Sequence, residues 1–133
     1  MVRVVVVDDQ APFRRAARAV VAATTGFELV GEARSGEEAV RLARSLAPDL
    51  VLMDLKMPGI GGIEATRRIA APGSDTVVVL VSTYRETDLP AYAQTCGAAA
   101  FIHKKGFGPS VLEEVWRSLS PGAAVRIGTA APP

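Results

Sequence analysis

Asp49-Leu50-Val51-Leu52-Met53-Asp54 is an uninterrupted apolar run closed by an acid. A short apolar run bounded by turn signals reads as a strand buried on both faces. Pro48 stands just before it, and Pro58-Gly59 signals a turn soon after. The pattern recurs upstream over residues 3–8, where Val4-Val5-Val6-Val7 leads into Asp8 and Asp9. It recurs downstream over residues 76–82, where Val77-Val78-Val79-Leu80-Val81 leads into Ser82. Weaker runs over residues 28–33 and 98–103 complete five expected strands.

Helical patterns separate these runs. Phe13, Ala16, Ala17, Val20 and Val21 recur at helical spacing. Ser35 is placed to cap a second helix carrying Ala39, Leu42, Ala43 and Leu46, with Glu38 at the capping-box distance and Pro48 at its end. A third helix is expected over about residues 62–71, before Pro72-Gly73. Leu89, Tyr92, Ala93 and Cys96 form a fourth stripe stopped by Gly97, and Pro109 opens a last helix carrying Leu112, Val115, Trp116 and Leu119. Strands buried on both faces, alternating with helices, imply a parallel sheet between helix layers. Right-handed crossovers leave few topologies, and the leading one is α/β and doubly wound, a five-stranded parallel sheet of order 2-1-3-4-5. The expected organisation is a single domain over residues 1–119 and an Ala/Gly/Pro-rich tail over 120–133.

Composition narrows the function. The chain has 133 residues, 15 Lys plus Arg against 14 Asp plus Glu, and a formal net charge of +1. That balance gives no global pull toward nucleic acid or anionic membrane. Aromatics are 5%, so the core must be mostly Val, Leu, Ile and Ala. A single cysteine excludes an internal disulfide and a multi-cysteine metal site. No apolar run approaches the roughly 18 residues of a spanning helix. A cytoplasmic protein contacting neither membrane nor nucleic acid directly is expected. Gly59, Gly61 and Gly62 do not make G-x-G-x-x-G because position 64 is Glu; Walker A and G-x-S-x-G sequences are also absent.

In doubly wound sheets, sites form at the carboxyl ends of the strands. That rule selects Asp8, Asp9, Asp54, Ser82 and Lys104. Clustered carboxylates are unfavourable unless a cation neutralises them, and an all-oxygen set with waters suits Mg²⁺. Each residue alone has a plain explanation: a solvated turn acid, a strand-end hydroxyl, an exposed lysine. Together they describe a phosphoryl-transfer site built from positioning and charge.

At this point the residues resemble a family, the receiver domain of bacterial two-component response regulators. The carrying segments are Val4-Val5-Val6-Val7-Asp8-Asp9, Asp49-Leu50-Val51-Leu52-Met53-Asp54-Leu55-Lys56-Met57-Pro58-Gly59, Val79-Leu80-Val81-Ser82 and Gly97-Ala98-Ala99-Ala100-Phe101-Ile102-His103-Lys104. Gly31-Glu32-Ala33, Gly36-Glu37-Glu38-Ala39 and Glu64-Ala65-Thr66-Arg67-Arg68-Ile69 look like the NarL/FixJ-type subgroup, whose output is a helix-turn-helix domain. The resemblance implies a flavodoxin-like receiver fold and a phosphoprotein in signal transduction and transcription regulation. It implies that Asp54 takes a phosphoryl group from a sensor histidine kinase. Asp8, Asp9 and Asp54, with the backbone carbonyl of Lys56, would hold Mg²⁺. Ser82 would be the switch hydroxyl, Phe101 the switch aromatic, and Lys104 the family lysine. Such a domain catalyses only its own phosphorylation and dephosphorylation. Homodimers are expected through the face of the fourth helix, fifth strand and last helix.

Some positions depart from the pattern. Gly61 stands where Asp often caps the third helix, and Ser82 where Thr is commoner. Thr83 is larger than the usual small residue and is expected to narrow the path to Asp54. Lys105 replaces a frequent proline, so a cis bond after Lys104 would cost about 3 kcal/mol. A Mg²⁺-dependent aspartyl-nucleophile phosphohydrolase is the enzymatic alternative, but it would want a cap domain or a second acid where Lys56 stands. A phosphorylation-independent interaction module is the other, disfavoured because every key side chain is present. Cys96 reads as a buried structural thiol, His103 as a core or edge residue, and Arg14, Arg15 and Arg18 as a solvated face or a docking patch. The tail is too short for a helix-turn-helix, so the chain is expected to stand alone or to come from a longer transcription factor.

Overall fold

A computed structural model describes residues 1–85 and 88–119; the expected tail over 120–133 lies outside the described residues. The run that opened the sequence reading forms β3, Leu50–Asp54, and all of its residues are buried. It lies at the centre of one five-stranded sheet ordered β2-β1-β3-β4-β5, with β1 Val2–Val7, β2 Phe27–Ala33, β4 Val77–Ser82 and β5 Ala100–His103. Every adjacent pair is parallel. The doubly wound order expected from the apolar runs is the order observed.

Because strand side chains alternate, each central strand feeds two cores. Val5, Val7, Val51, Met53 and Leu80 face one side, packed with Ala39 and Val40 of α2 (Gly36–Leu46) and Ala65 and Ile69 of α3 (Gly61–Ile69). Val4, Val6, Leu50, Leu52, Val79 and Val81 face the other, with Ala17 and Val21 of α1 (Ala11–Ala23) and Leu112 and Val115 of α4 (Pro109–Ser118). Full burial of each such Val or Leu contributes about 1.5–3 kcal/mol relative to exposure. Phe27 meets Trp116 edge-on at 6.4 Å, tying α4 to the start of β2.

The expected cap of α2 forms, with one change. The Glu38 N–H donates to Ser35 Oγ at 3.2 Å. The returning carboxylate accepts from the Arg34 N–H, one residue before the cap, at 2.8 Å. The helix closes at Ala47 in a left-handed conformation, φ 46°.

The fourth stripe does not make an α-helix. Only a 3-10 turn, Ala91–Gln94, forms there. Pro90 has no N–H to donate and pushes Leu89 out of helical backbone space. Between Pro90 and Gly97 too little chain remains to offset helix nucleation. The burial pattern survives without the helix: Ala93 and Cys96 are buried, and Tyr92 is 57% exposed. The expected fourth-helix part of a dimer face is therefore a turn. Cys96 is a free, buried thiol, as read. None of the peptide bonds is cis among the described residues. No helix among them is long and apolar enough to cross a membrane.

Candidate functional site

Parallel register assembles the site. Val7 pairs with Met53, which brings Asp8 beside Asp54. Asp54 pairs with Val81, so Ser82 follows one step on; Ser82 pairs with His103, so Lys104 follows next. Oxygens of Asp8, Asp9 and Asp54 lie within 4.8 Å of one another. Asp8 is fully buried and Asp54 is 7% exposed.

Lys104 reaches across from the edge strand. Its Nζ lies 2.7 Å from Asp8 Oδ2 and 3.3 Å from Asp54 Oδ1. Apart from this ammonium, Asp8 Oδ2 has no partner among the described residues. The Asp8–Lys104 contact is a short, buried ion pair. Asp8 Oδ1 accepts from the Gln10 N–H at 2.8 Å. Burial, then the neighbouring Asp8 charge, pushes the Asp54 carboxyl up to about 6, with Lys104 opposing. Burial alone would lower the Lys104 ammonium, but Asp8 and Asp54 outweigh it and hold it above its ordinary value. Three carboxylates against one ammonium leave net negative charge at a largely buried place. Those donors fit a hard divalent cation.

The turn after β3 is set by glycine. A Cβ on Gly62 would stand 1.9 Å from the Asp54 carbonyl oxygen, so no larger residue fits while the Gly62 N–H bonds to Leu55 O at 3.0 Å. Gly61 sits at φ 75°, in the left-handed region. It does not cap α3: Ile60 holds that place, and no side chain caps the helix. Lys56 lies on this turn and is exposed.

Ser82 is buried, and its Oγ accepts from the Tyr84 N–H at 3.1 Å. Among the described residues its proton has no acceptor. Thr83 beside it is exposed. Phe101 is buried in the core on the α2–α3 side. His103 Nδ1 accepts from the Lys105 N–H at 3.1 Å and caps the 3-10 turn Lys104–Gly106.

Two contacts escaped sequence reasoning. The Phe13 ring lies under the Lys104 ammonium, 4.4 Å from centroid to Nζ. The Arg14 guanidinium donates to the Asp8 carbonyl at 2.7 Å. Phe13 reads as helix stripe and Arg14 as solvated face; their closeness to Asp8-Asp9 in the chain was the available signal. Two of the three clustered arginines, Arg14 and Arg18, are engaged within the chain, and Arg15 is exposed. Arg18 grips Glu32 through two bonds, at 2.8 and 3.1 Å, and holds its carboxyl below the usual range, while Arg14 approaches it at 3.8 Å.

Comparison with known proteins gives a consistent result. The family model for the response regulator receiver domain matches residues 4–116. Response regulator UvrY of Escherichia coli K12 is 40% identical over 122 residues, covering 92% of this chain and 56% of UvrY. Response regulator GacA of Pseudomonas aeruginosa is 42% identical over 119 residues, covering 90% of this chain and 54% of GacA. The chain thus spans about half the length of these relatives. Among solved structures, a LuxR-family two-component response regulator from Aurantimonas sp. SI85-9A1 superposes with a TM-score of 0.80 at 31% identity, covering 94% of this chain and 87% of that one. The response regulator domain of Thermotoga maritima CheB gives 0.75 at 33% identity, covering 90% and 96%.

Proposed function

The chain belongs to the response regulator receiver family, and from that premise we propose that Asp54 is its phosphoacceptor. The observation that carries this is the buried Asp54 carboxylate, within 4.8 Å of Asp8 and Asp9 and 3.3 Å from Lys104 Nζ. In the proposed transfer, an Asp54 carboxylate oxygen forms a bond to phosphorus as the P–N bond to a kinase phosphohistidine breaks. The imidazole leaves with the electron pair and takes up a proton. Lys104 pairs with a phosphoryl oxygen, and Ser82 turns its free hydroxyl proton toward another, giving up the Tyr84 N–H. Asp8 and Asp9, with Asp54 and the carbonyl of Lys56, would hold Mg²⁺, which when bound offsets the charge on the transferring group.

The same geometry supports a switch reading. Ser82 ends β4 and Phe101 lies on β5, so a hydroxyl shift and the aromatic side chain bear on one edge of the sheet. We assign the receiver unit to residues 1–119 and place the protein in the cytoplasm, facing a sensor histidine kinase. Its output is a partner protein, a second copy of this chain through the 91–94 turn, β5 and α4, or a DNA-binding domain in the same regulator. The catalysis is confined to its own phosphorylation and dephosphorylation.

Incubating the chain with Mg²⁺ and acetyl phosphate tests the assignment. Mass spectrometry should show one added phosphoryl group, and Asp54→Asn should show none. Equal labelling of that variant would refute it.

A further inference from the structure

We infer that Phe13 is a positioning residue for Lys104, and that its ring, braced by Phe107, seats the ammonium between the carboxylates. The inference deepens the phosphoacceptor reading and rests on it. Lys104 Nζ lies 4.4 Å from the Phe13 ring centroid. The Phe13 and Phe107 rings stand 5.8 Å apart, tilted by 41°. The Phe107 N–H returns to the Lys104 carbonyl at 3.2 Å. These contacts close a circuit from the Lys104 backbone, through two rings, to its own ammonium.

The circuit matters because the ammonium is otherwise held only at its tip, by the Asp8 and Asp54 carboxylates. Its stem is long and flexible. It leaves a four-residue edge strand and enters a three-residue 3-10 turn whose Lys105 and Gly106 are exposed. The turn is tied locally by His103 Nδ1, which accepts from the Lys105 N–H, and by the Phe107 N–H on the Lys104 carbonyl. Lys105 also stands where the family often has proline, so the backbone lacks that restraint. The ring face supplies attraction from a third direction, opposite in kind to the carboxylates: it attracts the ammonium without neutralising it. The charge stays available to a phosphoryl oxygen.

The competing explanation is that Phe13 only fills space, since it also packs against the core beside α1. Charge and packing separate by substitution. Phe13→Leu keeps apolar volume but removes the quadrupole, and Phe13→Tyr keeps it. In the metal-free full chain, NMR should show the Lys104 ε-methylene protons shifted upfield by the ring in wild type and in Phe13→Tyr. In Phe13→Leu the shift should vanish, and in Phe107→Leu it should shrink. Labelling of Asp54 by acetyl phosphate with Mg²⁺ should slow roughly three- to tenfold in Phe13→Leu and stay within about twofold in Phe13→Tyr. Circular dichroism melts identify any variant that merely fails to fold, in which case the wild-type and Phe13→Tyr resonances decide. An unshifted wild-type methylene, a Phe13→Leu rate equal to wild type, or a Phe13→Tyr rate as slow as Phe13→Leu overturns the inference. Absence of labelling in the wild type would instead refute the phosphoacceptor reading, and the methylene shift would still report where the ammonium sits.

Discussion

At the residue scale, Asp54 is a strained charge. Its carboxyl titrates at about 6 in the fold rather than at its ordinary 3.8, chiefly through burial. Between those values the unfolded chain gives up this proton before the folded one does. Stability therefore falls as pH rises through roughly 4 to 6, and stays lower above it. Asp54→Asn should stabilise the metal-free protein at pH 7 by about 1–3 kcal/mol, read by urea unfolding. Added Mg²⁺ should raise the melting temperature of the wild type more than that of the variant. Thr83 is the other residue with its own test. It is exposed beside Ser82, and Thr83→Ala should quicken labelling by acetyl phosphate roughly two- to fivefold if its branched side chain narrows the approach. An unchanged rate would remove that idea.

At the element scale, two local devices begin the helices α2 and α3, and only the second touches the site. The Ser35 cap begins α2, and Ser35→Ala should cost about 1 kcal/mol in denaturant unfolding, with labelling of Asp54 unaffected. Gly62 begins α3 against the Asp54 backbone, where a Cβ would stand 1.9 Å from the carbonyl oxygen. Gly62→Ala should cost several times the Ser35 change and should also impair labelling, because α3 must move away from the residue that carries the chemistry. The contrast separates a cap that only stabilises a helix from a glycine that places the acceptor. The fourth crossover gives the opposite lesson. Its apolar stripe was legible, but its backbone was not, because Pro90 and Gly97 leave too short a span for a helix and the tertiary fold accepts a 3-10 turn there.

At the scale of the whole molecule, the site lies at the carboxyl ends of the strands and its proposed readout involves both faces of the sheet. Ser82, Phe101 and Lys104 sit on or beside the β4–β5 edge, with Phe101 on the α2–α3 face and α4 on the opposite face. A change at Asp54 is proposed to reach the dimer face through Ser82 and the neighbouring strand β5. Sedimentation of the chain with Mg²⁺ and acetyl phosphate should show a shift toward dimer that Asp54→Asn lacks. A monomer under both conditions would place the output elsewhere.

The sequence alone determined the five strands, their order and the carboxyl-end location of Asp8, Asp9, Asp54, Ser82 and Lys104. Those features follow from periodicity and chain order, and a residue closing a buried run must emerge at a sheet edge. Tertiary structure decided what no pattern encodes: the Lys104 ammonium on the Phe13 ring, Arg14 on the Asp8 carbonyl, Ser82 bound to the Tyr84 N–H, and the raised Asp54 carboxyl. Phe13 and Lys104 lie on different elements far apart in the chain. Their meeting depends on register, crossover and side-chain direction together, and the electrostatics of Asp54 depend on how much water that packing removes.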